Sequence, residues 1–274
     1  AANKLGQKCV VRMPKGTTQT RLQNIARENA TVTIEDLNYD DCVRMAAKEA
    51  AETERGIMVQ DTAWEGYEEI PTWIMQGYGT LAMEADQQLA DDGCRPTHIF
   101  IQAGVGSLAG AVIGYFANRF KENPPVMVVV EAGAADCLYQ SAVQGDGSRV
   151  NVTGDMLTLM AGLACGEPCS IGWNVLRDYA DNFISCPDYM AAQGMRILAS
   201  PVKGDPQIIS GESGAAAFGC VTEIMRDPKY RDIREKLGLN ENSRVLFFST
   251  EGDTDKENYR SIVWDGAYPG HGDE

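Results

Sequence analysis

Histidine is almost missing from this chain. Only His98 and His271 occur in 274 residues, and none of the eight cysteines stands in a C-x-x-C pair. Without ligands at metal-binding spacing, the sequence argues against a zinc site. The cysteines at 9, 42, 94, 137, 165, 169, 186 and 220 are scattered and mostly apolar-flanked. That usage suits buried thiols in a reducing, cytoplasmic compartment. Cys137 and Cys165 admit a redox-linked pair as the alternative. Basic charge is also scarce: 24 Lys and Arg face 39 Asp and Glu, a net charge of −15 with no dense basic run. Nucleic acid and anionic membranes are therefore not the expected partners. No apolar stretch approaches the length of a membrane span. The chain has no initiator methionine and no apolar signal run. Residues 1–6 read as the end of a helix closed by Gly6, so the chain is expected to begin inside a fold.

What is present is an alternation of short apolar runs and amphipathic segments, the pattern of a parallel α/β protein. Strands are expected at 8–13, 31–34, 57–60, 126–130 and 244–249. Helices are expected at 17–29, from about 39 to 55, at 71–90 with Pro71 in its first turn, at 174–183, 187–197 and 215–226. Residues 208–214 read as a strand-to-helix turn, and 133–174 offer few clear elements. The short Gly/Asp-rich tail is the only low-complexity segment.

The most telling stretch is T-H-I-F-I-Q-A-G-V-G-S-L-A-G-A-V-I-G, residues 97–114. An apolar run enters a turn bearing Gly104, Gly106, Ser107 and Gly110, which opens directly into a helix. Glycines let the backbone approach an anion, and the helix N-terminus adds partial positive charge. No lysine follows Gly110, which argues against a nucleotide triphosphatase loop. The third glycine falls one residue late for G-x-G-x-x-G, which argues against a dinucleotide oxidoreductase. A tight turn without a ligand is the plain alternative. Strand ends at 61, 104 and 249 would share one edge of a parallel sheet and form one site.

Five segments carry a resemblance: V-Q-D-T-A-W-E-G-Y-E-E-I-P-T-W-I-M-Q-G-Y (59–78), Q-A-G-V-G-S-L-A-G (102–110), M-A-G-L-A-C-G-E-P (160–168), I-I-S-G-E-S-G-A (208–215) and S-T-E-G-D-T-D (249–255). In order and over essentially the whole chain, they resemble the diaminopropionate ammonia-lyase family. That family belongs to the fold-type-II pyridoxal-phosphate enzymes, with tryptophan synthase β and the threonine dehydratases. The resemblance implies parallel sheets flanked by helices. Residues 1–60 would be the remainder of a smaller α/β domain, and 61–274 a larger domain binding pyridoxal 5′-phosphate, its N-terminal part absent. It implies α,β-elimination of 2,3-diaminopropionate to pyruvate and ammonia by a homodimer. Gly104, Val105, Gly106, Ser107 and Leu108 would donate N–H groups to the cofactor phosphate. Asp61 would be the catalytic base or the partner of a substrate ammonium, chiefly for the D-isomer. Ser249 or Thr250 would face the pyridine nitrogen. Local capping is the plain reading of Asp61. Trp64 and Trp73 read as packing anchors, Glu212 as support for its turn, and the acidic run 251–255 as a solvated turn.

One departure stands out. A pyridoxal enzyme anchors its cofactor on a lysine, and the family places it upstream of the first segment seen here. None of Lys4, Lys8, Lys15, Lys48, Lys121, Lys203, Lys229, Lys236 and Lys256 stands in such a context. The chain therefore reads as the C-terminal two-thirds of such an enzyme, incomplete and inactive alone. The alternatives are a related lyase acting on serine, threonine or cysteine derivatives, and a truncated homologue that binds an anion without chemistry.

Overall fold

Val10–Met13 (β1) and Thr31–Ile34 (β2) pair in parallel from Val10↔Thr31 to Met13↔Ile34 in the computed structural model, which describes residues 1–270. The crossover between them is Gln19–Ala26 (α1), begun by Thr18, whose side chain accepts from the Arg21 N–H. Tyr39–Glu52 (α2) follows, with Asn38 capping the Asp41 N–H at 2.9 Å. The short Asn3–Leu5 turn ahead of β1 closes on Gly6 in the left-handed region, as the sequence suggests. The Gly/Asp-rich tail with His271 lies outside the described residues.

Residues 57–60 correct the sequence reading. They pair with no strand among the described residues, and Ile57 and Val59 are 73% and 70% exposed. Their alternation supplies strand propensity, but a strand needs a ladder neighbour. Tyr67 serves the backbone instead: its hydroxyl accepts from the Gln60 N–H at 2.9 Å and donates to the Met58 carbonyl at 3.0 Å.

The second sheet carries the site. Its elements run Glu69–Asp91 (α3), His98–Gln102 (β3), Ser107–Arg119 (α4), Val126–Ala132 (β4), Cys137–Gln144 (α5), Ser170–Tyr179 (α6) and Asn182–Cys186 (β5). Asp188–Ala199 (α7), Glu212–Arg226 (α8), Arg231–Leu237 (α9), Val245–Phe247 (β6) and Lys256–Val263 (α10) complete it. The strands are all parallel, in the order β5-β4-β3-β6. Every residue of β3 is buried, apolar Ile99–Ile101 between polar His98 and Gln102, as expected when helices cover both sheet faces. Ile99, Ile101, Met127 and Val129 face one core with Val112, Ile113 and Phe116 of α4 and Leu176 of α6. The alternate residues Phe100, Val128 and Val130 face a second core with Val221 and Ile224 of α8. β5 is the second correction. The expected helix 174–183 starts and ends earlier, Ala180 turns to extended backbone, and Asn182 pairs with Val128 at the start of a strand. Residues 208–211 form no strand, and α8 begins at Glu212 rather than 215.

Candidate functional site

β3 and β6 are neighbours in the sheet, so the loops leaving their carboxyl ends lie side by side. A cavity of about 360 Å³ opens there. Its walls include Gly104–Leu108 from the first loop, Thr250 and Glu251 from the second, and Asp61 and Tyr78 from the segment and helix that cross above them. This is the edge at which open parallel sheets bind ligands, and the volume suits a small molecule.

The glycine turn is built for close approach. Gly106 has φ +96° and caps α4, and a Cβ there would sit 3.0 Å from Leu176 Cδ1. The first N–H groups of α4 have no intrahelical partner and make an anion cradle at its positive end. The Val105 N–H faces the Cys165 sulfur, so Gly106, Ser107 and Leu108 are the better-placed donors of the five. The Ser107 hydroxyl is committed elsewhere: it donates to the Asp61 carbonyl at 2.8 Å and ties the Asp61 segment to the cradle.

Asp61 is held from three sides. Its N–H donates to Gln60 Oε1 at 2.9 Å, and Gln60 Nε2 donates to the Tyr39 hydroxyl at 2.8 Å. The Tyr78 hydroxyl of α3 donates to Asp61 Oδ2 at 3.0 Å. Burial pushes the Asp61 carboxyl above the usual carboxylate range, with the Tyr78 hydrogen bond pulling the other way. A carboxyl tuned toward neutrality in a cleft is fitted to exchange a proton. Tyr39, Tyr78 and Gln102 also line the cavity; Tyr78 and Gln102 fall within segments that carry the family resemblance, but nothing in the sequence singles out any of the three as a site residue.

The structure separates Ser249 from Thr250. Thr250 lines the cavity and accepts from Gln102 Nε2 at 2.9 Å. Ser249 is not among the lining residues, and its hydroxyl donates to Ser210 at 2.9 Å. Cys165 lines the cavity and Cys137 lies behind the cradle, its thiol 3.9 Å from the Gly104 carbonyl. Both are free thiols pushed well up, chiefly by burial. Glu212 stands outside the cavity as a support: Arg21 contacts its Oε2 at 3.2 Å and Asn258 donates to its Oε1 at 2.5 Å. The 251–255 run is no solvated turn. Glu251 takes the Ser213 N–H and Arg21, and Asp255 caps α10 from a buried position. Trp64 stacks on Tyr67 at 4.4 Å, whereas Trp73 is 58% exposed and anchors little.

The family model described as "Pyridoxal-phosphate dependent enzyme" matches residues 1–250, the cradle, Asp61 and Thr250 included. The chain belongs to this family of pyridoxal-phosphate dependent enzymes. It is 54% identical over 268 residues to the diaminopropionate ammonia-lyase of Salmonella typhimurium, covering 97% of this chain and 66% of that one. Against the Escherichia coli diaminopropionate ammonia-lyase the identity is 50%, over 98% of this chain and 67% of the relative. The solved structure of the Escherichia coli lyase in complex with D-serine superposes with a TM-score of 0.91 at 48% identity, covering 98% of this chain and 67% of that one. The chain thus spans about two thirds of the length of these relatives. For a fold-type-II member of the family, the residues present fit the cofactor at its phosphate, through the α4 cradle, and at its ring, through the Thr250 hydroxyl. They do not supply the anchoring amine: among the described residues no lysine lines the cavity.

Proposed function

We propose that this chain carries the cofactor-binding core of an ammonia-lyase that eliminates ammonia from 2,3-diaminopropionate and yields pyruvate. The observation that carries the reading is the meeting of the glycine cradle, Asp61 and Thr250 on one cavity, in a chain half-identical to lyases of that name. Pyridoxal phosphate, when bound, supplies the conjugated ring that takes up the electron pair left on Cα. The chain's residues do the rest. The N–H groups of Gly104, Val105, Gly106, Ser107 and Leu108 hold the phosphate, with Gly106–Leu108 foremost. Thr250, rather than Ser249, faces the ring nitrogen. Asp61 takes the Cα proton of the D-isomer or pairs with a substrate ammonium, while buried Leu163 and Cys165 keep water from the reacting atoms. On this reading residues 1–60 belong to a smaller α/β domain and 61–274 to the cofactor-binding one. The functional form is a cytoplasmic homodimer, a setting that suits eight free thiols.

The absence of a lysine on the cavity favours a second reading, in which these residues bind an anion without turnover. Intact mass before and after borohydride reduction decides, with pyruvate assayed from diaminopropionate and serine in parallel. For the 274 residues alone the expected result is no pyridoxyl-phosphate increment and no pyruvate. An increment with faster turnover of diaminopropionate would put the anchoring amine within this chain and overturn the lysine statement. Faster turnover of serine would overturn the substrate.

A further inference from the structure

The backbone of Asp61 is fixed from the cradle side. Its carbonyl takes the Ser107 hydroxyl at 2.8 Å and faces the Cys169 thiol at 3.8 Å, and its N–H is held by Gln60. What these contacts leave free is the side-chain torsion. The Asp61 and Thr62 N–H groups approach the carboxyl. Among the described residues one side chain is hydrogen-bonded to it: Tyr78, whose hydroxyl donates to Oδ2 at 3.0 Å. A carboxylate only accepts, so the phenol is the donor. That hydroxyl has no second partner among the described residues, and a phenylalanine would pack the same ring. Tyr78 stands on α3, a 23-residue helix packed on α4, which gives the donor a rigid mount.

The charge on Asp61 has no cation to answer it. No lysine or arginine lines the cavity among the described residues, and Glu251, the other acid on its wall, is met by Arg21 at 3.2 Å. The groups that feel the Asp61 charge are Tyr78, Tyr39 of α2, Tyr67 and Cys165. Burial above all pushes each of these above its ordinary value, so all four stay neutral while Asp61 titrates. A buried carboxylate without a cation depends on its hydrogen-bond donors. We propose that Tyr78 is the positioning residue of Asp61: its hydroxyl pins Oδ2 and leaves Oδ1 as the oxygen that meets a substrate proton or ammonium. The inference rests on the reading of the cavity as a pyridoxal-phosphate site with Asp61 as its acid–base group. Tyr78 acts through Asp61 alone.

The titration of Asp61 in the full 274-residue chain tests this, read by NMR from the carboxyl carbon of isotope-labelled aspartate. Asp61→Asn identifies the resonance. Tyr78→Phe removes the donor and keeps the ring. It is expected to raise the Asp61 midpoint by about one pH unit or more, the loss of one hydrogen bond to a charged group. A role in packing alone would leave the midpoint where it is. Wild-type protein grown on 3-fluorotyrosine, whose phenol is the stronger acid and donor, is expected to lower the midpoint. That arm stands even where melting curves show that Tyr78→Phe fails to fold. The site itself is checked with the borohydride-reduced conjugate of pyridoxal 5′-phosphate and D-2,3-diaminopropionate, which needs no lysine to bind. Its saturation is expected to move the Asp61 resonance. A midpoint unmoved in folded Tyr78→Phe or in the fluorotyrosine protein overturns the inference and leaves the cofactor site standing. So does a bound conjugate that leaves the Asp61 resonance in place. No saturable binding of the conjugate overturns the reading of the site, and the inference with it.

Discussion

Glu131, next to last in β4, has no exposed surface and no cation against it among the described residues. Its two oxygens accept the N–H groups of Leu138 and Tyr139, at 2.9 and 2.6 Å, and so cap α5 from inside the core. Burial outweighs those hydrogen bonds and pushes the carboxyl up to about 8. The folded protein thus holds this proton where an unfolded glutamate, near 4.5, has released it. Between those limits the folded state binds more protons, so raising the pH favours unfolding. The contribution is whole below pH 4.5 and is lost as the pH climbs through 8, a total loss of roughly 5 kcal/mol. Glu131→Gln removes the titration. Urea midpoints measured from pH 5 to 9 are expected to fall more steeply for wild type than for the variant. Parallel curves would contradict the burial of an ionisable group there. Asp61 differs in kind: it is also raised by burial, but it lines a cavity and keeps the Tyr78 hydroxyl on one oxygen.

At the scale of elements, the cradle depends on how closely α6 can approach it. Gly172 of α6 lies against the turn, and a Cβ there would meet the Gly106 carbonyl oxygen at 2.8 Å and its carbon at 3.0 Å, backbone atoms with no room to yield. Gly172→Ala is expected to lower stability by about 1–3 kcal/mol, as an overpacked core does. Gly77 in α3 is exposed with nothing within 4 Å, so Gly77→Ala should raise stability by about 0.5–1 kcal/mol. Thermal melts check both. Equal shifts would contradict the close crossing of α6 on the loop. The elements legible in the sequence are those whose signal is local. Thr31–Ile34 matches its expected strand residue for residue, Tyr39–Glu52 starts on its Asn38 cap, and α4 opens on Gly106. Residues 57–60 and Asn182–Cys186 fail in opposite directions for one reason. The first has strand chemistry and no ladder among the described residues, while the second has weak strand chemistry and a ladder waiting on β4.

Across the whole molecule, the first sixty residues meet the rest through polar contacts. Arg21 bridges Glu212 and Glu251, Arg44 pairs with Glu167, Asp40 takes the Gly166 N–H at 2.9 Å, and Asn24 reaches the Thr254 carbonyl at 3.2 Å. Two of these contacts end beside cavity-lining residues, Cys165 next to Gly166 and Glu251 itself. The site is therefore assembled from positions more than 200 residues apart, from Tyr39 to Glu251, and its legibility follows from that. The cradle is contiguous and readable as a motif. Asp61 and Thr250 are readable through the family resemblance. Tyr39, Tyr78 and Gln102 belong to the site only because folding brings them there.

The account's central claim is that this cavity holds pyridoxal phosphate by the α4 cradle. Equilibrium binding of pyridoxal 5′-phosphate to the purified chain, with inorganic phosphate as competitor and Gly106→Val as control, tests it most directly. At φ +96° a valine is strained and collides with Leu176 and Leu138. The account predicts saturable binding at one site, displaced by phosphate and weakened at least about tenfold in the folded variant. Binding that ignores both phosphate and residue 106 would contradict it.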